Sequence, residues 1–168
     1  NLTVWGHISR TYYPYGVPKN PWDLERGAAG SSNGSAIAVA ACMLPAALGS
    51  DGAGSIRNPS ALCGITGLKP TQGRVSRYGT TPYEWSTETD GPMAWTVRDC
   101  ALILQVIAGH DPKDVITTQR AVPDYSASLT GVAKGLRIGV VKELVYHDGI
   151  DEEVRSAVLA AAKVFEEQ

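Results

Sequence analysis

The hydrophobic pattern of the first third of the chain predicts a buried helix followed by a short strand. Residues 36–44 are apolar on every side and rich in small side chains, as is typical of a helix without a solvent-facing surface. Ser31 or Ser32 would cap this helix, and Pro45 would end it because proline lacks the amide hydrogen that a helix interior uses. Residues 46–50 predict a short buried strand that leads into a glycine-rich turn.

The C-terminal half shows two helical patterns with one strand between them. Thr96 and Asp99 have the spacing of a capping box, with Asp in place of the usual Glu, and they open a helix over residues 100–108. Residues 136–141 predict a buried strand, and residues 151–167 have the period of an amphipathic helix. Helices that alternate with short apolar strands favour an α/β layered sheet over a helical bundle or a β-sandwich.

The middle of the chain has a weaker pattern. Residues 63–68 and 73–76 are weak strand candidates on either side of a break at Lys69 and Pro70. Residues 80–92 contain two prolines and several hydroxyl side chains without a period. We therefore expect a loop there, which is either a plain connector or one wall of a pocket.

Composition indicates a globular domain and argues against large polyanionic partners. Its 168 residues suit one domain with a real core, and 43% hydrophobic residues exclude a disordered tail. A net charge of -2 gives no basic field for phosphate groups or anionic lipid. Neither nucleic acid nor a membrane is expected as a direct partner, and a small neutral substrate fits better.

Cysteine spacing and the absence of targeting signals favour a cytoplasmic protein. Cys42, Cys63 and Cys100 lie too far apart for a paired metal-ligand motif, and we interpret them as reduced core thiols. The longest apolar stretch is shorter than a bilayer span, and the first residues do not resemble a signal peptide.

Metal and phosphate chemistry find little support in the residue pattern. His7, His110 and His147 are scattered, and no carboxylate cluster has ligand spacing, so we expect no metal site. The glycine-rich residues 49–54 resemble a phosphate-binding turn, but they lack the Lys-Ser/Thr ending of a P-loop.

Two serines compete for a nucleophile role. Residues 30–34 match the G-x-S-x-G elbow of α/β-hydrolases with Ser32 at the centre, yet the charged residues before it do not predict the buried strand that an elbow needs. Ser55 follows small residues at 52–54, whose N–H groups could converge on a developing oxyanion, although the same residues would also serve close packing. A serine hydroxyl needs a base. With no well-placed histidine, that base would be a neutral lysine or a second serine that relays the proton.

Three longer segments strongly resemble the amidase signature family. They are GSSNGSA at residues 30–36, ALGSDGAGSIR at residues 47–57 and CGITGLKPT at residues 63–71. The similarity continues through residues 73–77, 90–93 and 108–112, so it covers essentially the whole chain. The resemblance implies an α/β/α layered sandwich around a central mixed β-sheet, a Ser-Ser-Lys triad and no cofactor.

The resemblance also implies roles for the residues around residue 55. Ser55 would be the acyl-forming nucleophile, and Ser31, preceded by a cis peptide from Gly30, would relay its proton. Asp51 and Arg57 would hold the turn in shape. The oxyanion hole would use the N–H groups of Gly52, Ala53 and Gly54, and a supporting hydroxyl would come from Ser32.

The chain departs from the family pattern in ways that bear on activity. Asn33 and Ala53 stand where glycine is common in the family. A methyl group at residue 53 leaves the N–H available for the oxyanion hole, so we expect the substitution to be compatible with activity. The family's catalytic lysine lies well upstream of the first serine, and no lysine of this chain matches that motif. Lys69 is a tempting substitute, yet it belongs to the GLKPT stretch that the family has in addition, so we interpret it as structural.

We therefore expect residues 1–168 to be the central part of a longer amidase signature domain, cut at both ends. The parent would hydrolyse a carbon–nitrogen amide bond of a small molecule through a serine acyl-enzyme. This chain alone would be inactive, because the loss of a triad member removes several orders of magnitude in rate.

Two other functions stay open at the level of the sequence. One is an amidotransferase A-type subunit that frees ammonia from glutamine for tRNA-dependent amidation. Besides a small amide substrate, the partners expected for the protein are a second copy in a homodimer or companion subunits, and companion subunits would indicate the amidotransferase. The other, from a different class, is a non-catalytic scaffold or binding module that retains the fold. The missing lysine is its only support.

Overall fold

The computed structural model describes residues 16–81 and 84–167. It divides the chain into two compact units, Asn1–Ser128 and Leu129–Gln168. The single partial domain over residues 1–168 stays a prediction, and the two units are described separately.

A three-stranded antiparallel sheet organises the described part of the first unit. Its strands are β1 (Ala46–Asp51), β2 (Thr66–Gly67) and β3 (Thr89–Ala94), in the order β1-β3-β2. The β1–β3 register places Asp51 opposite Thr89, so β1 ends beside the start of β3. All described strand pairs are antiparallel, and the mixed sheet that the resemblance implies is not seen among them.

Three helices of the described part accompany this sheet: α1 (Asn33–Ala40), α2 (Arg57–Cys63) and α3 (Val97–Ile107). α1 contacts β1 and α2, and α3 contacts β3. Burial of small and branched side chains between α1, α2 and β3 supplies the core that fixes the site's position. The core cluster consists of Ala28, Ala36, Ala40, Ile56, Cys63 and Met93, with Ile37 and Ile65 packed against it.

The first predicted helix exists, but its predicted end is wrong. α1 stops at Ala40, and Cys42 adopts a positive φ of 57°, so the chain turns before Pro45 is reached. The predicted side-chain cap is also absent, because Ser32 stands at the N-cap position without a capping hydrogen bond. The following strand is confirmed as β1, although Leu48 is exposed and the strand is not fully buried.

The sequence reasoning missed α2 and β3. Pro59 lies in the first turn of α2, where proline is tolerated. β3 carries Gly91 and Pro92 and lacks the alternation that marks a strand, yet it lies between β1 and β2. Of the two weak strand candidates, the first contains only β2, and the second forms a single bridge from Val75 to Ala108.

α3 confirms the capping prediction. Thr96 has extended backbone angles at the N-cap, and its Oγ1 accepts a hydrogen bond from the Asp99 N–H at 3.1 Å. The hydroxyl also donates to the Asp99 carboxylate at 2.6 Å. A local signal of this kind fixes a helix start independently of the surrounding fold.

The second unit contains α4 (Lys142–Val145) and α5 (Glu152–Glu166). α5 confirms the predicted amphipathic helix, and Asp151 caps it by accepting from the Glu153 N–H at 2.8 Å. The predicted strand at residues 136–141 is wrong, since these residues are exposed and form no strand. An apolar run becomes a strand only where another strand pairs with it, and no described strand does so here.

Two further expectations can be compared with the described residues. Cys63 and Cys100 are buried free thiols, as predicted, whereas the prediction of a core thiol is wrong for Cys42, which is exposed in the turn after α1. Among the described residues, no helix has the length and hydrophobicity needed to cross a bilayer.

Candidate active site

The candidate site is the turn between β1 and α2, which the buried carboxylate of Asp51 holds together. Its Oδ1 accepts from the Gly54 N–H at 2.7 Å, and its Oδ2 accepts from the N–H groups of Ile56 and Arg57 at 3.1 and 3.2 Å. The Arg57 guanidinium adds two hydrogen bonds, each of 3.0 Å. One side chain therefore fixes the backbone on both sides of Ser55, which supports the turn-holding role implied for Asp51 and Arg57.

The ionisation of Asp51 follows from these contacts. Burial alone would raise the pKa of its carboxyl, because a charged group is less stable away from water. The hydrogen bonds from Arg57, Gly54 and Ile56 outweigh burial and hold the pKa well below its usual range. Asp51 is therefore charged at neutral pH.

The turn requires glycine at its centre. Gly54 has a φ of +127°, which side-chain-bearing residues rarely adopt, and a Cβ there would lie 2.6 Å from Nδ2 of Asn58. Gly52 lies against a second wall, since a Cβ there would lie 2.9 Å from the Glu84 carboxylate. Glycine is needed at residue 54 because of its positive φ, whereas at residue 52 a larger side chain would require the Glu84 carboxylate to move.

The segment that carries Ser31 and Ser32 lies against this turn. The Gly30–Ser31 peptide is cis, as the resemblance implied. The Ser32 N–H donates to the Ser55 carbonyl at 3.1 Å, which joins the two predicted serine segments through their backbones. The fold thus brings the predicted pair Ser31 and Ser55 onto adjacent segments.

Ser32 itself is engaged with β1. Its hydroxyl donates to the Ser50 carbonyl and accepts from the Ser50 N–H, both at 3.2 Å. A nucleophile needs a hydroxyl free to meet a base and a carbonyl carbon. This arrangement favours the supporting role of Ser32 over its role as an elbow nucleophile.

The predicted oxyanion donors are not equivalent. The Gly54 N–H donates to Asp51 and is occupied within the turn. Within the described residues, the N–H groups of Gly52 and Ala53 make no hydrogen bond, and Ala53 is exposed. Two of the three predicted donors are therefore available to a ligand, whereas the third would have to leave a carboxylate.

Lys69 lies beside the turn and does not meet the predicted serines. Its Nζ donates to the carbonyl oxygens of Asp51, Gly52 and Thr87, the last two at 3.0 and 2.6 Å. In the part of the chain that the structure describes, no lysine hydrogen-bonds to Ser31 or Ser55.

Sequence reasoning missed several contacts that support the site, two of them from residues outside the family segments and one from Asn33 within the first segment. Glu84 and Thr87 come from the segment before β3, and the Thr87 hydroxyl donates to the Glu84 carboxylate beside Gly52. Asn33, which is buried in α1, donates through its Nδ2 to the Ala29 carbonyl at 3.0 Å. The sequence indicated that residues 80–92 could form a pocket wall, but no local pattern predicts these individual contacts.

No metal-binding arrangement is found among the described residues, since none of their His, Cys, Asp and Glu side chains form a group of three or more that could hold an ion. His7 lies outside the described residues. Nδ1 of His110 forms a hydrogen bond of 3.1 Å with the Thr117 hydroxyl, and neither residue belongs to the turn.

The described part of the chain is thus an α/β arrangement in which Ser55 lies on a strand-to-helix turn beside the segment that carries Ser31 and Ser32. The chain belongs to the amidase family, whose model, described as "Amidase", matches residues 1–168. The α/β fold predicted from the sequence is confirmed by the solved relatives.

Individual relatives are similar to most of this chain. The chain is 59% identical over 152 residues to the A-type subunit of glutamyl-tRNA(Gln) amidotransferase from Chromohalobacter salexigens, covering 90% of this chain and 31% of that protein. The crystal structure of the A-type subunit of the same amidotransferase from Thermotoga maritima has a TM-score of 0.83 and 41% identity, over 91% of this chain and 33% of the other.

A relative with a different name is also similar. Native peptide amidase from Stenotrophomonas maltophilia has a TM-score of 0.65 and 47% identity, over 67% of this chain and 24% of the other. The chain thus spans about a third or less of the length of these relatives.

Proposed function

We propose that this chain is the nucleophile-bearing part of a longer enzyme that hydrolyses a carbon–nitrogen amide bond through a serine acyl-enzyme. One observation carries the proposal: the Ser32 N–H to Ser55 carbonyl hydrogen bond of 3.1 Å joins the Ser31 segment to the turn that Asp51 holds. The membership of the amidase family supports the reaction class.

In the proposed reaction, Ser55 Oγ bonds to the amide carbonyl carbon while its proton passes through Ser31 to a lysine outside the described residues. The C–N bond then breaks, and the amine leaves with that proton. The acyl group stays on Ser55 as an ester. A water molecule attacks the ester carbon and gives one proton to the lysine, the bond between the acyl carbon and Ser55 Oγ breaks as that proton returns through Ser31 to Oγ, and the carboxylic acid departs.

An active-site-directed fluorophosphonate tests the nucleophile in the full-length protein that contains this segment. We expect covalent labelling at Ser55, loss of labelling in Ser55→Ala, and retained labelling in Ser32→Ala. Labelling at Ser32 would instead revive the hydrolase elbow. A folded wild-type protein that takes up no label would favour the non-catalytic scaffold and overturn the proposal.

The relatives favour a particular use of this chemistry. Two of them, each 59% identical over about nine-tenths of this chain, are named as the A-type subunit of glutamyl-tRNA(Gln) amidotransferase. We propose on this ground that the parent releases ammonia from glutamine for tRNA-dependent amidation, with companion subunits as partners. The tRNA would be handled by the assembly, since the net charge of -2 gives this chain no basic field.

Ammonia release from L-glutamine distinguishes this use from that of a stand-alone amidase. We expect the full-length protein to release ammonia only when its companion subunits are co-purified, and to do so faster with glutamyl-tRNA present. Efficient hydrolysis of peptide amides by the isolated protein, with no effect of companion subunits, would contradict the amidotransferase proposal and leave the amidase proposal in place.

A further inference from the structure

The amino group of Lys69 contacts two consecutive peptide groups of the turn between β1 and α2 that carries Ser55. Its Nζ donates to the Asp51 carbonyl and, at 3.0 Å, to the Gly52 carbonyl. The same nitrogen lies 3.3 Å from the Asp51 carboxylate and 2.6 Å from the Thr87 carbonyl, which hold it in place. No family motif gave this lysine a role in the turn.

Because the peptide group is planar, the positions of these two carbonyls also fix the directions of the neighbouring N–H groups. A planar trans peptide directs its C=O and its N–H in opposite directions. The Asp51 carbonyl shares a peptide with the Gly52 N–H, and the Gly52 carbonyl shares one with the Ala53 N–H. Because Lys69 draws both carbonyls towards itself, both N–H groups are directed away from it.

We propose that Lys69 is a positioning residue that aims the N–H groups of Gly52 and Ala53 at the oxyanion of the reaction. This inference rests on the proposed function of Ser55. The two N–H groups are those that make no hydrogen bond within the described residues, whereas the Gly54 N–H is held by Asp51. Lys69 and Asp51 therefore bind different groups of the turn. The lysine binds carbonyl oxygens, and the carboxylate binds the N–H groups that the reaction does not use.

The charge of the lysine adds to its geometric effect. A cation beside a carbonyl oxygen draws electron density towards that oxygen, which makes the N–H of the same peptide a stronger donor. Charge-assisted hydrogen bonds are also roughly twice as strong as neutral ones. The Lys69 side chain is mostly buried, at 23% exposed, so water weakens these contacts only partly.

The contacts also distinguish positioning from proton transfer. A catalytic lysine must present a lone pair to a serine hydroxyl, but the partners of Lys69 Nζ are three carbonyls and a carboxylate, all of which are acceptors. Lys69 thus touches the turn and not the reacting atoms.

Steady-state kinetics of Lys69→Met in the full-length protein test the proposal. The substrate is L-glutamine with companion subunits, or a peptide amide if the wild-type protein hydrolyses that instead. With rates expressed per fluorophosphonate-labelled site, we expect kcat to fall roughly 100-fold while KM stays within about threefold, since oxyanion contacts act mainly in the transition state. Phenylboronic acid, which forms a tetrahedral serine adduct, should lose affinity in proportion to kcat/KM.

Lys113→Met is the matched control. Lys113 is an exposed lysine whose Nζ lies over the Tyr78 ring, 4.9 Å from its centroid, and it contacts no part of the turn. We expect this variant to keep wild-type kcat, KM and phenylboronic acid affinity.

The remaining outcomes separate this inference from the proposed function. Wild-type protein that hydrolyses no amide contradicts the proposed function itself, whereas an active wild type with Lys69→Met within threefold in kcat contradicts only the role of Lys69. If Lys69→Met does not fold, Lys69→Gln, which keeps an N–H donor, is measured in the same way, with a kcat loss of about tenfold or more expected. Failure of both variants to fold would show that Lys69 is needed for the fold and would overturn a specific role in positioning.

Discussion

At the scale of single residues, Asp51 shows how much a buried charge can organise. An isolated carboxylate in a protein interior is strongly unfavourable, so it persists only where hydrogen bonds and opposite charges compensate it. The described residues give Asp51 six such contacts, from three backbone N–H groups, the Arg57 guanidinium and Lys69. Their directions converge from the turn, α2 and the segment after β2, and this convergence fixes the backbone around Ser55.

Replacing this carboxylate should be costly. We expect Asp51→Asn to lower the free energy of unfolding by about 3 kcal/mol, since one partner of a buried ion pair is removed. Urea unfolding measures the loss. The control is Asp23→Asn, which removes an exposed ion pair of 3.1 Å with Arg26 and should cost under about 1 kcal/mol. Equal effects of the two substitutions would contradict the anchoring role.

The pH dependence of the Asp51 contribution has a definite sign. Its folded pKa is depressed, so its stabilising effect is present above the unfolded pKa of about 4 and is lost as pH falls below that value. Wild-type protein should therefore lose stability towards pH 3 more steeply than Asp51→Asn does.

Asp90 should show the opposite behaviour. Burial, with the nearby charges of Glu88 and Asp114, raises the pKa of its carboxyl to about 6, although Arg77 partly opposes this. A raised folded pKa means that stability is greatest below about pH 4 and is lost as pH rises through about 6. We expect the free energy of unfolding of Asp90→Asn, measured with urea and expressed relative to wild type, to be about 1 kcal/mol higher at pH 7.5 than at pH 4. An equal difference from wild type at both pH values would contradict the assignment.

Gly54 tests the conformation of the turn itself. We expect Gly54→Ala to lose about 2 kcal/mol or more of stability, because residue 54 has a positive φ and its Cβ would meet Asn58. Gly27→Ala is the control, since a Cβ there meets nothing within 4 Å and should change stability by under about 0.5 kcal/mol. Thermal unfolding compares the two, and similar melting temperatures would argue against the described turn.

At the scale of elements, helices were predictable where their signals are local. α3 carries its own cap in Thr96 and Asp99, so the sequence placed its start without knowledge of the fold. The end of α1 was not predictable, because Cys42 turns the chain before Pro45 is reached. β3 was missed because its pairing with β1 and β2 depends on residues distant in sequence.

The cap of α3 gives a test at this scale. Thr96→Ala removes the oxygen that accepts from the Asp99 N–H, and we expect it to cost about 1 kcal/mol. Thr96→Ser keeps the oxygen and should retain most of that stability. Chemical unfolding of both variants gives the comparison, and equal losses would assign the effect to the methyl group rather than to the cap.

At the scale of the whole molecule, the chain spans about a third of the relatives it matches. The turn that carries Ser55 and the segment that carries Ser31 lie within it, but a lysine bonded to either serine is not found among the described residues. We expect the purified 168-residue chain to show no amide turnover, because a triad without its base loses several orders of magnitude in rate. Ammonia release assays measure this, and steady turnover by the chain would contradict it.

The sequence by itself determined the family resemblance, the α/β class and the helices with local signals such as α5, and it supplied Ser31 and Ser55 as the candidates that the proposed function uses. These follow from residue type and short-range spacing, which do not depend on the rest of the fold. Only the tertiary structure decided that Gly54 donates to Asp51 and that Lys69 holds two carbonyls of the turn. It also decided that residues 136–141 form no strand. Hydrogen bonds between distant segments and the pairing of strands depend on what lies opposite in space, and no local pattern records that.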